Sequence, residues 1–417
     1  MKVFKFGGAS VKDAAGVRNV AEVLKRHALD DVVIVVSAMG KTTNALEAIT
    51  WEWLDGRPVA REVDALERTH QAVLRAVAPE DEAARTLLAE RFQGLRAILD
   101  HAPSNGIDLH YDQVVSFGEL WSSAIVHAHL NSAGIASTWW DARTVVRTDA
   151  RHRSARVDWD ASAEGAAGML ANVGGAPLRV VTQGFIGGAE DGSTTTLGRE
   201  GSDFSAAILA YLLDAESVTI WKDVAGMFNA DPNRFRDTRL LERISYREAI
   251  ELSYFGASVI HPRTLQPLQK KNIPLYVRSF IDADAPGSTI TAATDRDSLM
   301  PSFIVKPLQL LISITPRDLS FIVEENLSGI FKLFAERNVR IELMQNSAVA
   351  FSVAVDDSPR ARQLIEELRD EYEVRHNEGC ELITVRHYDE ATLDKLLAGK
   401  EQLIEQRSRT TARFVVK

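Results

Sequence analysis

The run Val32–Val36 (VVIVV) constrains the fold of this chain more than any other feature. Such a continuous run of β-branched residues is the pattern of a parallel strand buried on both faces. Strand-like and helical segments alternate along most of the chain, which predicts an α/β sandwich with a mostly parallel central sheet. Further strands are predicted at Val3–Phe6, Leu178–Thr182, Ser217–Trp221 and Leu275–Arg278, and helices at Val17–Ala28, between Ala45 and Asp100, and at Gln113–Leu130, Asp203–Leu213, Tyr246–Phe255 and Arg263–Lys271.

The pattern changes over Asp282–Met300, a stretch of Ala, Asp, Pro, Gly and Thr with little periodicity. We predict a domain boundary there, with one domain over residues 1–295 and a smaller one over residues 300–417. The smaller part is predicted to be β-α-β-β-α-β, followed by a last helix (Thr392–Glu405) and a last strand (Arg413–Val416). This is a small α+β unit typical of ligand-sensing modules.

Composition narrows the classes of partner and compartment. The net charge of -10 argues against nucleic acid or an anionic membrane as the main partner. The single cysteine, Cys380, excludes an intramolecular disulfide and a cysteine-based zinc cluster, and it favours a reducing compartment. The N-terminus MKVFKFGGAS has no apolar region of a secretory signal. We expect a cytoplasmic protein without a metal site of its own.

Two short motifs suggest phosphate binding. Lys5 ends a predicted strand, and Gly7 and Gly8 then allow backbone N–H groups to approach a phosphate. A simple strand–turn–helix with a solvated lysine remains the alternative. Gly40-Lys41-Thr42-Thr43 resembles the end of a Walker A loop, but Val35 stands where that loop needs its first glycine. The P-loop reading is therefore excluded.

A glycine- and threonine-rich loop is predicted over Gly184–Gly201, before a helix. Arg199 in this loop has the forked guanidinium that binds a carboxylate. Ser202 and Asp203 lie at the helix N-terminus, where capping and ligand contact are both reasonable roles. Glu119 lies in an otherwise apolar helix, so it needs a cavity or a cation unless it lies on a solvated face.

The loop Trp221–Pro232 follows a predicted strand and carries an aromatic residue and two acids. This composition suits an adenosine pocket, although a polar turn that begins at Asp231-Pro232 is the simpler reading.

Together these segments resemble the aspartate kinases of the amino-acid kinase family. The matching stretches, from Lys5 to Gln269 and in the family's order, are KFGGAS, VVSAMGKTTN, SFGEL, TQGFIG, TTTLGREGSDFSAA, WKDVAGMFNADP and EAIELSYFGASVIHPRTLQPLQ. Further along, NLSGIFKLFAERNVRIELMQNSAVAFSVAVD looks like the family's ACT regulatory region.

The resemblance implies a role for each matching position. Lys5 is implied to neutralise the transferring phosphate, and Asp203 to organise that lysine and the substrate. The implied aspartate-binding residues are Thr43, Glu119, Arg199, Gly201 and Ser202. The implied ATP-binding residues are Lys5, Gly7, Gly8, Ser10, Lys222, Asp223, Phe228, Asn233 and Ser258. The implied effector-contacting residues are Gln345, Asn346 and Ser347.

Three positions depart from the family pattern. Ser258 stands where many members have a lysine that reaches ATP. Asn233 stands where many have an arginine, although Arg234 is adjacent, and Phe228 replaces a frequent tyrosine.

The activity that the resemblance implies is the reaction of ATP and L-aspartate to ADP and 4-phospho-L-aspartate, with Mg²⁺ accompanying ATP. This is the first step toward lysine, threonine and methionine. The ACT-like region implies feedback inhibition by lysine or threonine, and a homodimer or higher homo-oligomer formed through that region. An ACT pair that only dimerises is the alternative. No room is expected after Lys417 for a homoserine dehydrogenase domain.

Two rival functions are considered. One is a family member that acts on glutamate, acetylglutamate or UMP, against which the SFGEL segment and the ACT-like tail argue. The other is a catalytically silent amino-acid sensor, against which the presence of Lys5, Arg199 and Asp203 argues.

Overall fold

The computed structural model describes residues 1–27, 30–103, 106–172, 177–257, 259–318 and 320–417. The chain divides into two compact units. The first, which we call the catalytic unit, comprises Met1–Met227, Leu240–Ile250 and Val259–Thr294. The second, the C-terminal unit, comprises Phe228–Arg239, Glu251–Ser258 and Asp295–Lys417. None of the described helices combines the length and the apolar character needed to cross a membrane.

The catalytic unit contains the strands β1 to β11 and the helices between them. The last residues of one of these helices, α10, belong to the C-terminal unit. In chain order the strands and helices are β1 (Lys2–Phe6), α1 (Ala14–His27), β2 (Val32–Val36), α2 (Thr42–Leu54), α3 (Ala60–Val77), α4 (Glu82–Leu99), α5 (Ile107–Val115), α6 (Phe117–Ser132), β3 (Thr138–Trp139), α7 (Ala142–Val145), β4 (Arg147–Thr148), α8 (Trp159–Asn172), β5 (Arg179–Gln183), β6 (Ile186–Ala189), β7 (Thr194–Thr196), α9 (Gly201–Leu212), β8 (Ser217–Lys222), β9 (Arg243–Ser245), α10 (Tyr246–Phe255), α11 (Pro262–Lys271), β10 (Leu275–Ser279) and β11 (Ser288–Thr291). Ala28, the end of the first predicted helix, lies outside the described residues.

An eight-stranded sheet in the order β3-β5-β2-β1-β8-β10-β11-β9 forms the centre of the catalytic unit. All neighbours pair in parallel except β10 and β11, so the predicted mostly parallel sheet is confirmed. Every residue of β2 is fully buried, as the β-branched run predicts.

The side chains of β1 alternate between the two faces of the sheet. Phe4 and Phe6 belong to the core cluster that also contains residues of α1 and α6. Lys5 points to the opposite face, where its ammonium meets Asp203 of α9. The two-residue period of the strand thus separates an apolar layer from a polar one.

Two predicted elements of the catalytic unit, one loop and one helix, are wrong. The predicted loop Gly184–Gly201 contains β6 and β7, which pair antiparallel and join β4 in a small sheet. Its glycines allow close backbone packing, since a Cβ on Gly188 would lie 2.4 Å from the carbonyl oxygen of Arg143. The predicted helix Gln113–Leu130 is two helices that meet at Ser116. The irregular stretch Asp282–Met300 supplies β11 to the central sheet.

The C-terminal unit contains a six-stranded sheet in the order β13-β14-β12-β15-β17-β16, in which all neighbours are antiparallel. With its helices this confirms the predicted α+β region. Its elements are β12 (Ser302–Pro316), α12 (Glu324–Glu336), β13 (Ile341–Asn346), β14 (Phe351–Asp356), α13 (Pro359–Glu371), β15 (Tyr372–Arg386), α14 (Glu390–Leu397), β16 (Gln402–Arg407) and β17 (Thr411–Val416).

The last predicted helix, Thr392–Glu405, is too long. Helix α14 ends at Leu397, and Gly399 follows with a φ of +73°, a conformation that terminates helices. Gln402–Arg407 then forms strand β16 against β17. The apolar pair Leu403 and Ile404 fits either element, and the pairing partner decides between them.

Two glycines of α8 test the packing of this helix. A Cβ on Gly165 would lie 2.6 Å from the carbonyl oxygen of Thr144, whereas a Cβ on Gly168 meets nothing within 4 Å. We expect Gly165→Ala to lower the free energy of unfolding by about 1–3 kcal/mol through overpacking. Gly168→Ala is the matched control and should raise it by about 0.5–1 kcal/mol through helix propensity. Thermal unfolding checks both, and equal effects in the two variants would contradict this packing.

Candidate active site

A cavity of about 950 Å³ lies in the catalytic unit where β1, β2, β5 and β8 end. The carboxyl ends of parallel strands are where α/β sheets bind ligands. The lining residues are Lys5, Gly8, Ser37, Ala38, Gly40, Thr43, Asn44, Glu47, Tyr111, Glu119, Arg153, Phe185, Thr196, Gly198, Arg199, Glu200, Gly201, Ser202, Asp203 and Lys222. The cavity therefore gathers predicted site residues from segments far apart in the sequence.

A buried ion cluster forms one wall of this cavity. Lys5 Nζ lies 2.6 Å from Oδ1 of Asp203, and Lys222 Nζ lies 3.2 Å from Oδ2 of the same carboxylate. Burial alone would raise the pKa of Asp203, but the two ammonium groups outweigh it and hold that pKa below its usual value. Asp203 is thus ionised, and the cluster carries two positive charges against one negative charge.

The turn after β1 brings backbone close to the Lys5 ammonium. A Cβ on Gly7 would lie 3.4 Å from Lys5 Nζ, and a Cβ on Gly8 would lie 2.7 Å from the carbonyl oxygen of Ala38. The Gly40 N–H donates to the Gly8 carbonyl at 3.0 Å, which ties this turn to the loop after β2. Only glycine fits the position of Gly8 without moving that loop.

Glu119 lies in the first turn of helix α6 and is 3% exposed, so the solvated face considered from the sequence is wrong. The N–H of Ala38 donates to its Oε1 at 3.1 Å. Its Oε2 has no hydrogen-bond partner among the described residues. Burial raises the pKa of Glu119 to about 8, although the Ala38 N–H and the charge of Lys5 oppose the shift. A buried carboxylate with one unpaired oxygen is suited to receive a cation from a ligand.

The segment before α9 carries the remaining predicted aspartate-binding side chains. Arg199 is exposed at the cavity and makes no hydrogen bond or ion pair with the described part of the chain. Ser202 and Thr43 are half-buried and line the cavity. Gly201 is buried, and a Cβ on it would lie 2.6 Å from the ring of Phe185. An unpaired guanidinium and two hydroxyls thus line the same cavity as Glu119.

Comparison with known proteins identifies the family of this site. The model of the amino acid kinase family matches residues 1–279. Lysine-sensitive aspartokinase 3 of Escherichia coli is 31% identical over 392 residues, which cover 92% of this chain and 86% of that protein.

Two crystal structures of E. coli aspartokinase III also match at 28% identity, and each covers 100% of this chain and 96% of the other. The complex with lysine and aspartate gives a TM-score of 0.83, and the complex with aspartate and ADP gives 0.80. The chain belongs to the aspartate kinases of the amino acid kinase family. It is accordingly a phosphotransferase.

Several positions implied by the aspartate kinase resemblance do not line the cavity. The Ser10 hydroxyl donates to the Trp221 carbonyl at 3.3 Å, which connects the turn after β1 to β8. Asp223 is exposed next to Lys222. Phe228 and Asn233 belong to the C-terminal unit, where the Asn233 side chain donates to Asp231 at 3.1 Å. Ser258 lies outside the described residues.

The predicted effector positions lie at the edge of the C-terminal sheet. Gln345 and Asn346 end strand β13 and Ser347 follows, and all three are exposed. Ser347 exchanges hydrogen bonds with the backbone of Ala350 at 3.1 Å. The side chains of Gln345 and Asn346 make no hydrogen bond with the described residues.

Sequence reasoning missed three acidic residues of this aspartate kinase site, namely Glu47 and Glu200, which line the cavity, and Asp112, which contacts lining residues. Asp112 of α5 is fully buried and accepts hydrogen bonds from Thr196, His152 and the backbone of Arg153. Thr196 and Arg153 line the cavity. No local signal distinguishes Asp112, because the same helix, IDLHYDQVV, also carries Asp108, His110 and Gln113.

The residues of the cavity do not form a metal site by themselves. In the described ranges no group of three or more His, Cys, Asp or Glu side chains is close enough to bind a metal ion. Mg²⁺ commonly binds through one or two carboxylates and the phosphates of its nucleotide. The donor set is compatible with a Mg²⁺ ion that arrives with ATP.

Glu119 makes stability depend on pH. The pKa of Glu119 is about 8 in the folded protein, whereas its ordinary value is 4.5. Between these two pH values the folded state keeps a proton that the unfolded state releases. The free energy of unfolding therefore falls as pH rises toward 8. We expect the free energy of unfolding of Glu119→Gln, measured relative to wild type, to rise by roughly 2–3 kcal/mol from pH 6 to pH 8. Chemical denaturation at both pH values checks this, and a pH-independent difference would contradict the burial of Glu119.

Proposed function

We propose that this protein transfers the γ-phosphoryl group of ATP to the side-chain carboxylate of L-aspartate and forms ADP and 4-phospho-L-aspartate. The main support is the separation of charge in the cavity. Lys5, Lys222 and Asp203 form a net positive cluster, suited to phosphate. Glu119 and Arg199 offer an anion and a cation to an amino acid. The E. coli aspartokinase III structures, with aspartate and ADP or with lysine and aspartate, are consistent with this assignment.

The proposed chemistry is an in-line displacement. An oxygen of the aspartate side chain attacks the γ-phosphorus, and the bond from that phosphorus to the bridging oxygen breaks as ADP leaves. The nucleophile is already a carboxylate, so no general base is needed. Catalysis then depends on positioning and on charge neutralisation. Lys5 supplies neutralisation, and Asp203 fixes its ammonium before the substrate arrives.

The amino-acid end of the substrate is assigned to Glu119 and Arg199. The α-ammonium pairs with the unpaired Oε2 of Glu119, and the α-carboxylate pairs with the Arg199 guanidinium. The hydroxyls of Thr43 and Ser202 and the backbone at Gly201 complete this end. Such an arrangement orients the side-chain carboxylate toward Lys5.

The nucleotide end is assigned to the turn after β1 and to the end of β8. Gly7, Gly8 and Ser10 are proposed to form the phosphate turn, with Lys222 beside it. Asp223, Phe228, Asn233 and Ser258 are carried over as nucleotide contacts from the resemblance alone. A Mg²⁺ ion bound with ATP supplies charge neutralisation at the phosphates.

We also propose that residues 1–295 form the kinase domain and residues 300–417 an ACT-type regulatory region. Lysine or threonine would bind there and inhibit the enzyme, which would act first in the route to lysine, threonine and methionine. The E. coli relative is a lysine-sensitive aspartokinase. The exposed amide side chains of Gln345 and Asn346, with Ser347, are available to an effector or to a second copy of the chain. Location in the cytoplasm stays a prediction.

Lys5 is the decisive residue for the proposed reaction. We expect Lys5→Met to lower kcat by at least about a hundredfold, because the transferring phosphate loses its nearest positive charge. Lys2→Met is the matched control in the same strand, since the Lys2 ammonium does not line the cavity and donates to the His27 carbonyl at 3.5 Å. An aspartyl-hydroxamate assay with ATP measures both. Near wild-type turnover in a folded Lys5→Met protein would sink the assignment.

The regulatory proposal has its own test. We expect lysine or threonine to inhibit hydroxamate formation, and Asn346→Ala to raise the half-inhibitory concentration by about tenfold through loss of an effector hydrogen bond. Asn377→Ala, an exposed asparagine of β15 in the same sheet, is the control and should leave inhibition unchanged. Absence of inhibition by either amino acid would favour a C-terminal unit that only dimerises.

A further inference from the structure

Arg153 lines the cavity and has no role in the proposed function so far. Its backbone has a φ of +64°, in the left-handed region that only glycine, and to a smaller degree asparagine and aspartate, adopts easily. A long, charged side chain is therefore present at a backbone position that does not favour it. The surrounding contacts show what keeps the residue there.

The buried carboxylate of Asp112 determines the position of this backbone. Its Oδ2 accepts the N–H of Arg153 at 2.9 Å and lies 3.1 Å from Nδ1 of His152. The same carboxylate accepts the N–H of Thr196 at 2.9 Å and the hydroxyl of Thr196 at 2.6 Å. Asp112 thus connects the turn at Arg153 to β7 at the cavity wall.

Aromatic contact and weak pairing leave the Arg153 guanidinium available. Its central carbon lies 4.4 Å from the centre of the Tyr111 ring, and Tyr111 also lines the cavity. Stacking on a ring restricts the orientation of the fork without using its N–H donors. Its ion pair, Nη1 to Asp108 Oδ1 at 3.4 Å, is exposed on both sides and contributes little.

We propose that Arg153 is a substrate-binding residue that binds the α-carboxylate of the amino-acid substrate together with Arg199. The proposal rests on the proposed function and extends it. Asp203 already neutralises part of the charge of Lys5 and Lys222, and these ammonium groups serve the phosphate end. The α-carboxylate of the substrate then needs other cations, and Arg199 and Arg153 both line the cavity.

The positive φ of Arg153 allows variants that remove the side chain without straining the backbone. Arg153→Gly and Arg153→Asn remove the guanidinium, yet both residues suit a positive φ, so each protein should melt no lower than wild type. We expect the KM for aspartate to rise at least about tenfold in both, without a matching fall in kcat or rise in the KM for ATP. Arg153→Lys keeps the charge without the fork and should lie between them and wild type.

A charge control lies nearby in the same turn. Arg151 is exposed and does not line the cavity, so Arg151→Gly should leave the KM for aspartate unchanged. An unchanged KM in both Arg153→Gly and Arg153→Asn would overturn the proposal. Loss of folding in both variants would also overturn it, because the side chain would then serve the structure and not the substrate.

Calorimetry of aspartate binding distinguishes this proposal from the proposed function. If wild type binds aspartate but forms no hydroxamate with ATP, the proposed reaction fails. The role of Arg153 is then tested by the dissociation constants for aspartate of Arg153→Gly and Arg153→Asn. An increase of about tenfold supports the proposal, and equal constants refute it. If wild type does not bind aspartate at all, both proposals fall.

Discussion

The pairing of one buried carboxylate with two ammonium groups is the interaction on which the catalytic unit depends. Asp203 reaches Lys5 of β1 and Lys222 of β8, two strands that are hydrogen-bonded neighbours in the sheet. Without this carboxylate, two cations would lie close together in a largely dry environment, which is costly. With it, the cluster keeps a net positive charge at the mouth of the cavity. Helix α9 is therefore both a layer of the fold and the support of the charged site.

The fold supplies this arrangement through ordinary strand geometry. Alternation along β1 directs Phe4 and Phe6 into one core and Lys5 to the other face. The parallel pairing of β1 and β8 places the ends of both strands on the same edge of the sheet. A charged residue is tolerated inside this strand because its ammonium finds Asp203 within 2.6 Å. The sheet and the ion cluster depend on one another.

Local sequence patterns predict many of the strands and helices. They fail where contacts with distant segments determine the secondary structure. The β-branched run Val32–Val36 and helix α13 follow from sequence periodicity alone. The hairpin of β6 and β7 does not, because its glycines and threonines are equally typical of loops. Glycines selected for close packing and glycines selected for flexible turns look the same in a sequence. The sequence of strand β16 similarly predicts a helix, because only its pairing with β17 distinguishes strand from helix there.

The same limit applies to the site. Lys5, Arg199 and Asp203 stand in recognisable motifs, and their gathering at one cavity follows from the parallel order of the strands. Asp112 and Arg153 have no such motif. Their contact joins residues separated by 41 positions, and Asp112 reaches Thr196 across 84 positions. Nothing local in the sequence indicates that this acid would support a cavity wall, so only the fold reveals it.

The two ends of the cavity differ in how they treat charge before any ligand binds. At the lysine end Asp203 is ionised, and its position is already determined by the ammonium groups. At the opposite end burial raises the pKa of Glu119 to about 8, so this carboxyl is mostly protonated near neutral pH. On the proposed function, an arriving ammonium would pair with the ionised form and release that proton. Substrate binding should thus be linked to pH at the amino-acid end alone, while the phosphate end remains preorganised.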